Sequence, residues 1–236
     1  MNRNNGGSGI CALCLGAGKL QHSHIVPEFF YAPVYDDSHT FKVVSQGTKD
    51  VSAKSKQKGM REYLLCRACE QHLSKFETYA AGLLRRIDEA VVNGAKGGVQ
   101  MRFDPKAFRL FGLSLLWRMG IARTPMFDQV RLGPHAEPIR SMIAAGDPGS
   151  ASEYGFLIGR SELTNVQGFP IIAPVALRGV DRRRMYRLGA LGYNWDFYVD
   201  SRLKSLGENI PFLGCDAIIR VPLFPPTRLE FRARKR

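Results

Sequence analysis

At 236 residues and 44% hydrophobic composition, the chain has enough apolar material for one large domain, or for a small module joined to a larger lobe. Its 34 Lys and Arg against 21 Asp and Glu give a formal charge of +13 and a pI near 9.8, a field that draws polyanions and makes nucleic acid the expected partner. The longest apolar runs, Phe108–Leu116 and Phe169–Leu177, are broken by Arg or Pro and fall short of the roughly 20 residues that cross a bilayer, which excludes a membrane segment at this level.

Residues 1–10 read as a flexible tail: Met1-Asn2-Arg3-Asn4-Asn5-Gly6-Gly7-Ser8-Gly9 lacks the apolar stretch of a secretory signal, so a cytoplasmic chain with reduced thiols is expected. Cys11 and Cys14 then form one Cys-x-x-Cys pair, and Cys66 and Cys69 form a second. Zn2+ takes four soft ligands at tetrahedral angles, two from each short turn, so the four thiols predict one closed structural zinc site. With only Cys215 left over, this reading is preferred to a redox motif or a pair of disulfides. The stretch from residue 15 to residue 65 far exceeds the roughly 15 to 20 residues of compact zinc ribbons, so something folded must sit between the two knuckles.

Leu15 to Leu20 reads as a knuckle turning into a strand, with Gly16 and Gly18 available for positive φ. His22 to Val26 continues as a strand or hairpin edge, which Pro27 ends by removing a backbone donor. Phe29, Phe30 and Tyr31 are expected in the core. Residues 42–61 form a basic insertion, with Lys42, Lys49, Lys54, Lys56, Lys58 and Arg61 against Asp50; it reads either as an arm that tracks phosphates or as a solvated loop.

From Glu70 to Val92, Leu73, Phe76, Ala80, Leu83, Leu84, Ile87 and Val91 recur at helical steps, predicting an amphipathic helix that closes a module over 11–92. Asn93-Gly94 and Gly97-Gly98 end it, leaving residues 93–104 as a linker. A lobe over 105–236 follows. Its first helix, Pro105 to Ala122, is apolar nearly all round, which suits a buried core helix; a protein partner or second copy docking there is the alternative. A shorter helix over 135–145 stops at Gly146-Asp147-Pro148-Gly149. Strands are predicted at 154–159, 169–177, 185–191, 193–199 and 215–223. In the last, Cys215, Ala217, Ile219, Val221 and Leu223 share one face, opposite Asp216 and Arg220. Arg182-Arg183-Arg184 and the 232–236 terminus read as solvated or phosphate-contacting basic runs.

The order of Cys11–Cys14, then His24-Ile25-Val26-Pro27, then Leu65–Glu70 resembles the zinc-containing branch of the HNH, or His-Me finger, endonucleases. His22-Ser23-His24-Ile25-Val26-Pro27-Glu28-Phe29 is also similar to bacterial HNH-like proteins of this two-lobed length. The resemblance covers about the first third of the chain. It implies a treble-clef, ββα-metal finger, which with the helical connector and the C-terminal lobe rich in antiparallel strands read above makes an α+β fold. It implies a metal-dependent nuclease, acting on DNA, in which His24 is the general base on a water and Mg2+ or Mn2+ stabilises the phosphorane. The family places a ligand immediately before the base; here Ser23 stands there, and His22 one position earlier becomes the candidate. Glu70, just after the second Cys pair, is the other candidate ligand, a hard carboxylate suited to Mg2+ or Mn2+. His22, His24 and Glu70 are therefore expected to converge on one cation. The family's middle Asn has no counterpart between Glu28 and Cys66; Glu28, Glu77 and His72 are the polar residues at hand, and Glu77 shares a helical face with Glu70. Two other readings compete. One is a noncatalytic zinc module that binds nucleic acid or assembles with partners. The other places function in the C-terminal lobe as a ligand sensor, for which no motif stands in 105–236.

Overall fold

The computed structural model describes residues 7–44, 53–57, 59–93, 98–150, 153–161, 171–178, 183–199 and 217–224. Among the described residues, three sheets and three α-helices make a mixed α+β fold. In chain order, β1 (Ser8–Ile10) and β2 (Ala17–His24) flank the first Cys pair, and β3 (Thr40–Val44) and β4 (Ala53–Gln57) form a separate hairpin. Next, β5 (Arg61–Cys66) returns to pair with β2 and leads directly into α1 (Arg67–Val92). The folded insertion demanded by the spacing of the cysteines is thus largely β3–β4 and the short 3-10 turns before it.

After α1 come β6 (Gly98–Arg102), α2 (Pro105–Ile121) and α3 (Ala136–Ala145), then β7 (Phe156–Ser161), β8 (Ile172–Arg178), β9 (Arg184–Ala190), β10 (Tyr193–Tyr198) and β11 (Ile218–Phe224). The large sheet has the order β6-β11-β7-β10-β9-β8, antiparallel throughout except for β11 against β7. Asp104 caps α2 by accepting from the Ala107 amide at 3.1 Å, with Pro105 in the first turn where its missing N–H costs nothing. Gly146 closes α3 in the left-handed conformation, φ 64°.

Two boundaries differ from the sequence reading. Ser8–Ile10 is not tail but an edge strand, pairing with Ala17–Lys19; residues 1–6 lie outside the described residues. Within the expected linker, Gly98–Arg102 is a strand that pairs with β11 across the large sheet, while residues 94–97 lie outside the described residues. Polar and glycine-rich composition hid both, because edge strands need little apolar sequence of their own when a neighbour supplies the ladder.

The hydrophobic core is continuous across this boundary. Phe30, preceding α1, packs on Trp195 of β10 at 5.3 Å and on Phe111 of α2 at 6.2 Å. Residues Phe108 to Met119 of α2 are buried, so its all-round apolar surface is core. The approach to the sheet is close: a Cβ at Gly112 would meet the Phe156 ring at 2.4 Å. Polar ties reinforce the packing. The Glu62 carboxylate of β5 accepts from the Arg123 and Thr124 amides, each at 2.8 Å, and Asp88 of α1 accepts from Arg160 and Tyr193 at 2.8 and 2.6 Å. Among the described residues no helix is long and apolar enough to cross a membrane. Lys49, Lys58, Phe169, Arg182, Cys215, Asp216 and the 232–236 run lie outside the described residues.

Candidate metal centre and histidine site

Cys11 follows β1, Cys14 sits in the turn, Cys66 ends β5 and caps α1, and Cys69 lies in the first helical turn. The knuckle's positive φ falls on Leu15, at 62°, rather than on Gly16 or Gly18. All four Sγ atoms lie within 4.8 Å of one another. The Cys14–Cys66 separation is 3.9 Å, far beyond the ~2.05 Å of a disulfide. It matches the edge, about 3.8 Å, of a tetrahedron built with Zn–S bonds of about 2.3 Å. The four cysteines therefore form a cluster able to hold a metal such as zinc.

Its electrostatics fit that role. Burial pushes the Cys11 thiol up, but hydrogen bonds from the backbone of Cys14, Cys66 and Leu13 outweigh it and hold the group at about 7. Burial raises Cys69, hydrogen bonds of its thiol to the sulfurs of Cys66, Cys11 and Cys14 raise it further, and the charge on Cys11 adds repulsion. A divalent cation relieves that repulsion. Arg140 of α3 donates to the Leu13 carbonyl and so places a guanidinium beside the first knuckle.

A β-bulge ties the two knuckles together. The β2/β5 register shifts after Gln21↔Leu65, so that His22 pairs with Tyr63 and Leu64 has no partner in β2. The freed groups are both satisfied: the Leu64 carbonyl accepts from the Ala12 amide at 2.8 Å, and the Leu65 amide donates to the Ser23 hydroxyl at 3.2 Å. Ser23 is buried, 2% exposed, and serves the ladder. Beyond the bulge His22 faces solvent and stacks on Tyr63, ring centroids 5.0 Å apart.

His24 is held from three sides. Its Nε2 lies 2.5 Å from Glu28 Oε2 and 2.7 Å from the Arg61 Nε–H, and its ring packs near Tyr31. Burial, then the Arg61 charge, depresses the imidazole below its ordinary range and outweighs the pull of Glu28 in the other direction, which favours the neutral ring. One Nε2 cannot both accept from Arg61 and donate to Glu28. With the proton on Nε2 the ring donates to Glu28 and Nδ1 keeps its lone pair; with it on Nδ1, Nε2 accepts from Arg61. For Glu28, burial acts upward, but the Tyr35 hydroxyl at 2.8 Å, His24 and Arg61 together hold the carboxyl below its ordinary range.

Arg61, in the basic insertion that reads as a phosphate-tracking arm or a solvated loop, donates to His24 and Glu28. Lys42 lies in β3, and Lys54 and Lys56 in β4. Sequence reasoning missed Arg118. It is 2% exposed within α2, donates from Nη1 to the His24 carbonyl at 2.9 Å and sets Nη2 2.7 Å from Glu77 Oε1. That last approach is a charge contact without hydrogen-bond alignment. The one signal was an arginine in an otherwise apolar helix, which needs a buried partner.

His22, His24 and Glu70 do not gather as expected: among the described residues the four cysteines are the sole group of three or more metal-ligating side chains. His22 is drawn off by the bulge and its stack on Tyr63. Glu70 nonetheless keeps a buried Oε1 without a hydrogen-bond partner. A groove of about 460 Å³ runs along the same face of α1, lined by Glu28, Phe29, Ser74, Glu77, Thr78 and Arg85. His72 belongs elsewhere, bonded to the Ile143 carbonyl of α3 at 2.8 Å. No protein-family model, no curated protein and no solved structure matches the chain.

Proposed function

We propose that the chain is a metal-dependent HNH-type endonuclease that hydrolyses nucleic-acid phosphodiester bonds, with DNA as substrate and His24 as general base. One observation carries the reading: His24, its Nε2 2.5 Å from the Glu28 carboxylate and its backbone carbonyl held by a buried guanidinium, on a strand joined to a helix through four cysteines. In this reading the ring's proton sits on Nε2 against Glu28, and Nδ1 takes a proton from the water that attacks phosphorus. The Glu28 carboxylate then stabilises the imidazolium and does the orienting work of the family's middle Asn. A treble-clef arrangement with structural zinc on Cys11, Cys14, Cys66 and Cys69 belongs to the same proposal, as does the polyanion-attracting charge of +13.

Mg2+ or Mn2+ at the site supplies neutralisation of charge at the phosphate and leaving oxygen. Such ions are held by one or two carboxylates and complete their shell with substrate oxygens and water. Glu70, with its unpartnered buried oxygen, fits that demand; Glu77 is engaged by Arg118, and His22 by Tyr63.

The test is plasmid nicking with Mg2+ or Mn2+. His24→Ala should lose roughly a hundred- to ten-thousandfold in rate, and Glu70→Ala should lose nicking as well. A second reading, a noncatalytic nucleic-acid-binding or assembly module, is favoured by the absence among the described residues of a second three-ligand group. DNA retained on a gel, with no cleavage under any cation, would establish it instead.

A further inference from the structure

We infer that the His22–Tyr63 ring pair is a stacking platform for one unpaired nucleobase beside the scissile phosphate. This rests on the reading of the site as acting on nucleic acid and adds the form of substrate it takes.

The two rings are stacked across the strands, 5.0 Å apart at 26°, and both are exposed, Tyr63 to 42%. A cross-strand aromatic pair contributes to hairpin stability on its own. Its position suggests more. His22↔Tyr63 and His24↔Arg61 are pairs two residues apart on the same face of the β2/β5 hairpin, with Ser23↔Glu62 on the other. The platform therefore lies about 7 Å along the strand from the candidate base. A nucleobase stacked on the open ring face belongs to a nucleotide next to the one whose phosphate meets His24. Aromatic side chains bind bases in this manner without reading sequence, while a basic protein supplies the pull on the backbone. A base can reach the platform only when it is out of a duplex stack. The preferred substrate is then single-stranded or locally unpaired.

The experiment uses the full chain and short single-stranded oligonucleotides carrying 2-aminopurine at successive positions, with no Mg2+ or Mn2+ added so that no cleavage occurs. The zinc-loaded protein should quench 2-aminopurine at one position above the others. An abasic site at that position should weaken binding about five- to hundredfold. His22→Leu with Tyr63→Leu should weaken it by the same factor, and Tyr63→Trp should restore it. Equal affinity for the abasic oligonucleotide, or quenching unchanged in the leucine variant, overturns the platform, and so does a wild type that fails to bind single strands. The abasic arm needs no protein variant and so is immune to misfolding. Quenching without cleavage on adding Mg2+ sinks the nuclease reading alone, whereas cleavage with position-independent quenching sinks the platform alone.

Discussion

The backbone amide of Leu65 donates to the hydroxyl of Ser23, 3.2 Å away, at the one place where the β2/β5 ladder loses register. Ser23→Ala leaves that buried N–H without a partner, at a cost of about 1–3 kcal/mol. Urea unfolding should show this loss, with zinc content unchanged; Ser23→Thr, which keeps the hydroxyl, should recover part of it. No loss in the alanine variant would mean the bulge is held by other groups.

The cysteine cluster should carry one zinc per chain. Structural zinc bound by such ligands is worth about 10–16 kcal/mol of apparent binding free energy at neutral pH. A strong chelator should therefore lower the melting temperature steeply, and Cys69→Ser should do so without chelator. Elemental analysis of the purified protein gives the direct check.

For His24 the folded-state pKa is depressed, so the folded chain keeps the ring neutral while the unfolded chain binds a proton below about 6.5. Stability from this group is complete above that value and is lost as pH falls from there towards the folded pKa. The acid limb of the cleavage profile should lie below 6.5 for the same reason. Arg61→Gln, removing a positive neighbour, should move it upward, and Glu28→Gln, removing a negative one, downward. An NMR titration of the His24 ring reports both without relying on activity.

Arg118 is a buried cation facing Glu77, and truncating one partner of such a pair costs about 3–5 kcal/mol because the other is left stranded. Glu77 is a quarter exposed, which places Arg118→Met nearer the lower figure. The double variant with Glu77→Gln should be less destabilised than the sum of the two single changes, as a thermodynamic cycle from denaturation will show.

Where periodicity was strong, the sequence reading and the structure agree. Leu73, Ala80, Leu83 and Ile87 mark the buried stripe of α1, and the alternation around Ile219 and Val221 marks the inner face of β11. The spacing of the two cysteine pairs likewise foretold their convergence. What stayed hidden depends on contacts between distant residues. A one-residue bulge at Leu64 has no local signature, yet it turns His22 from candidate ligand into half of a ring stack. Arg118 lies 94 positions from the carbonyl it holds, and nothing near it in sequence announces that partner. Gly98–Arg102 reads as linker because its strand identity is conferred by β11, more than a hundred residues later.

The guanidinium that steadies the His24 carbonyl comes from α2, and the ring that covers Phe30 comes from β10. A fragment ending near residue 104 would thus forfeit its own buttress and bare an aromatic surface to water. Unlike a finger that can be cut out and grafted onto another scaffold, this N-terminal unit travels only with the rest of its chain.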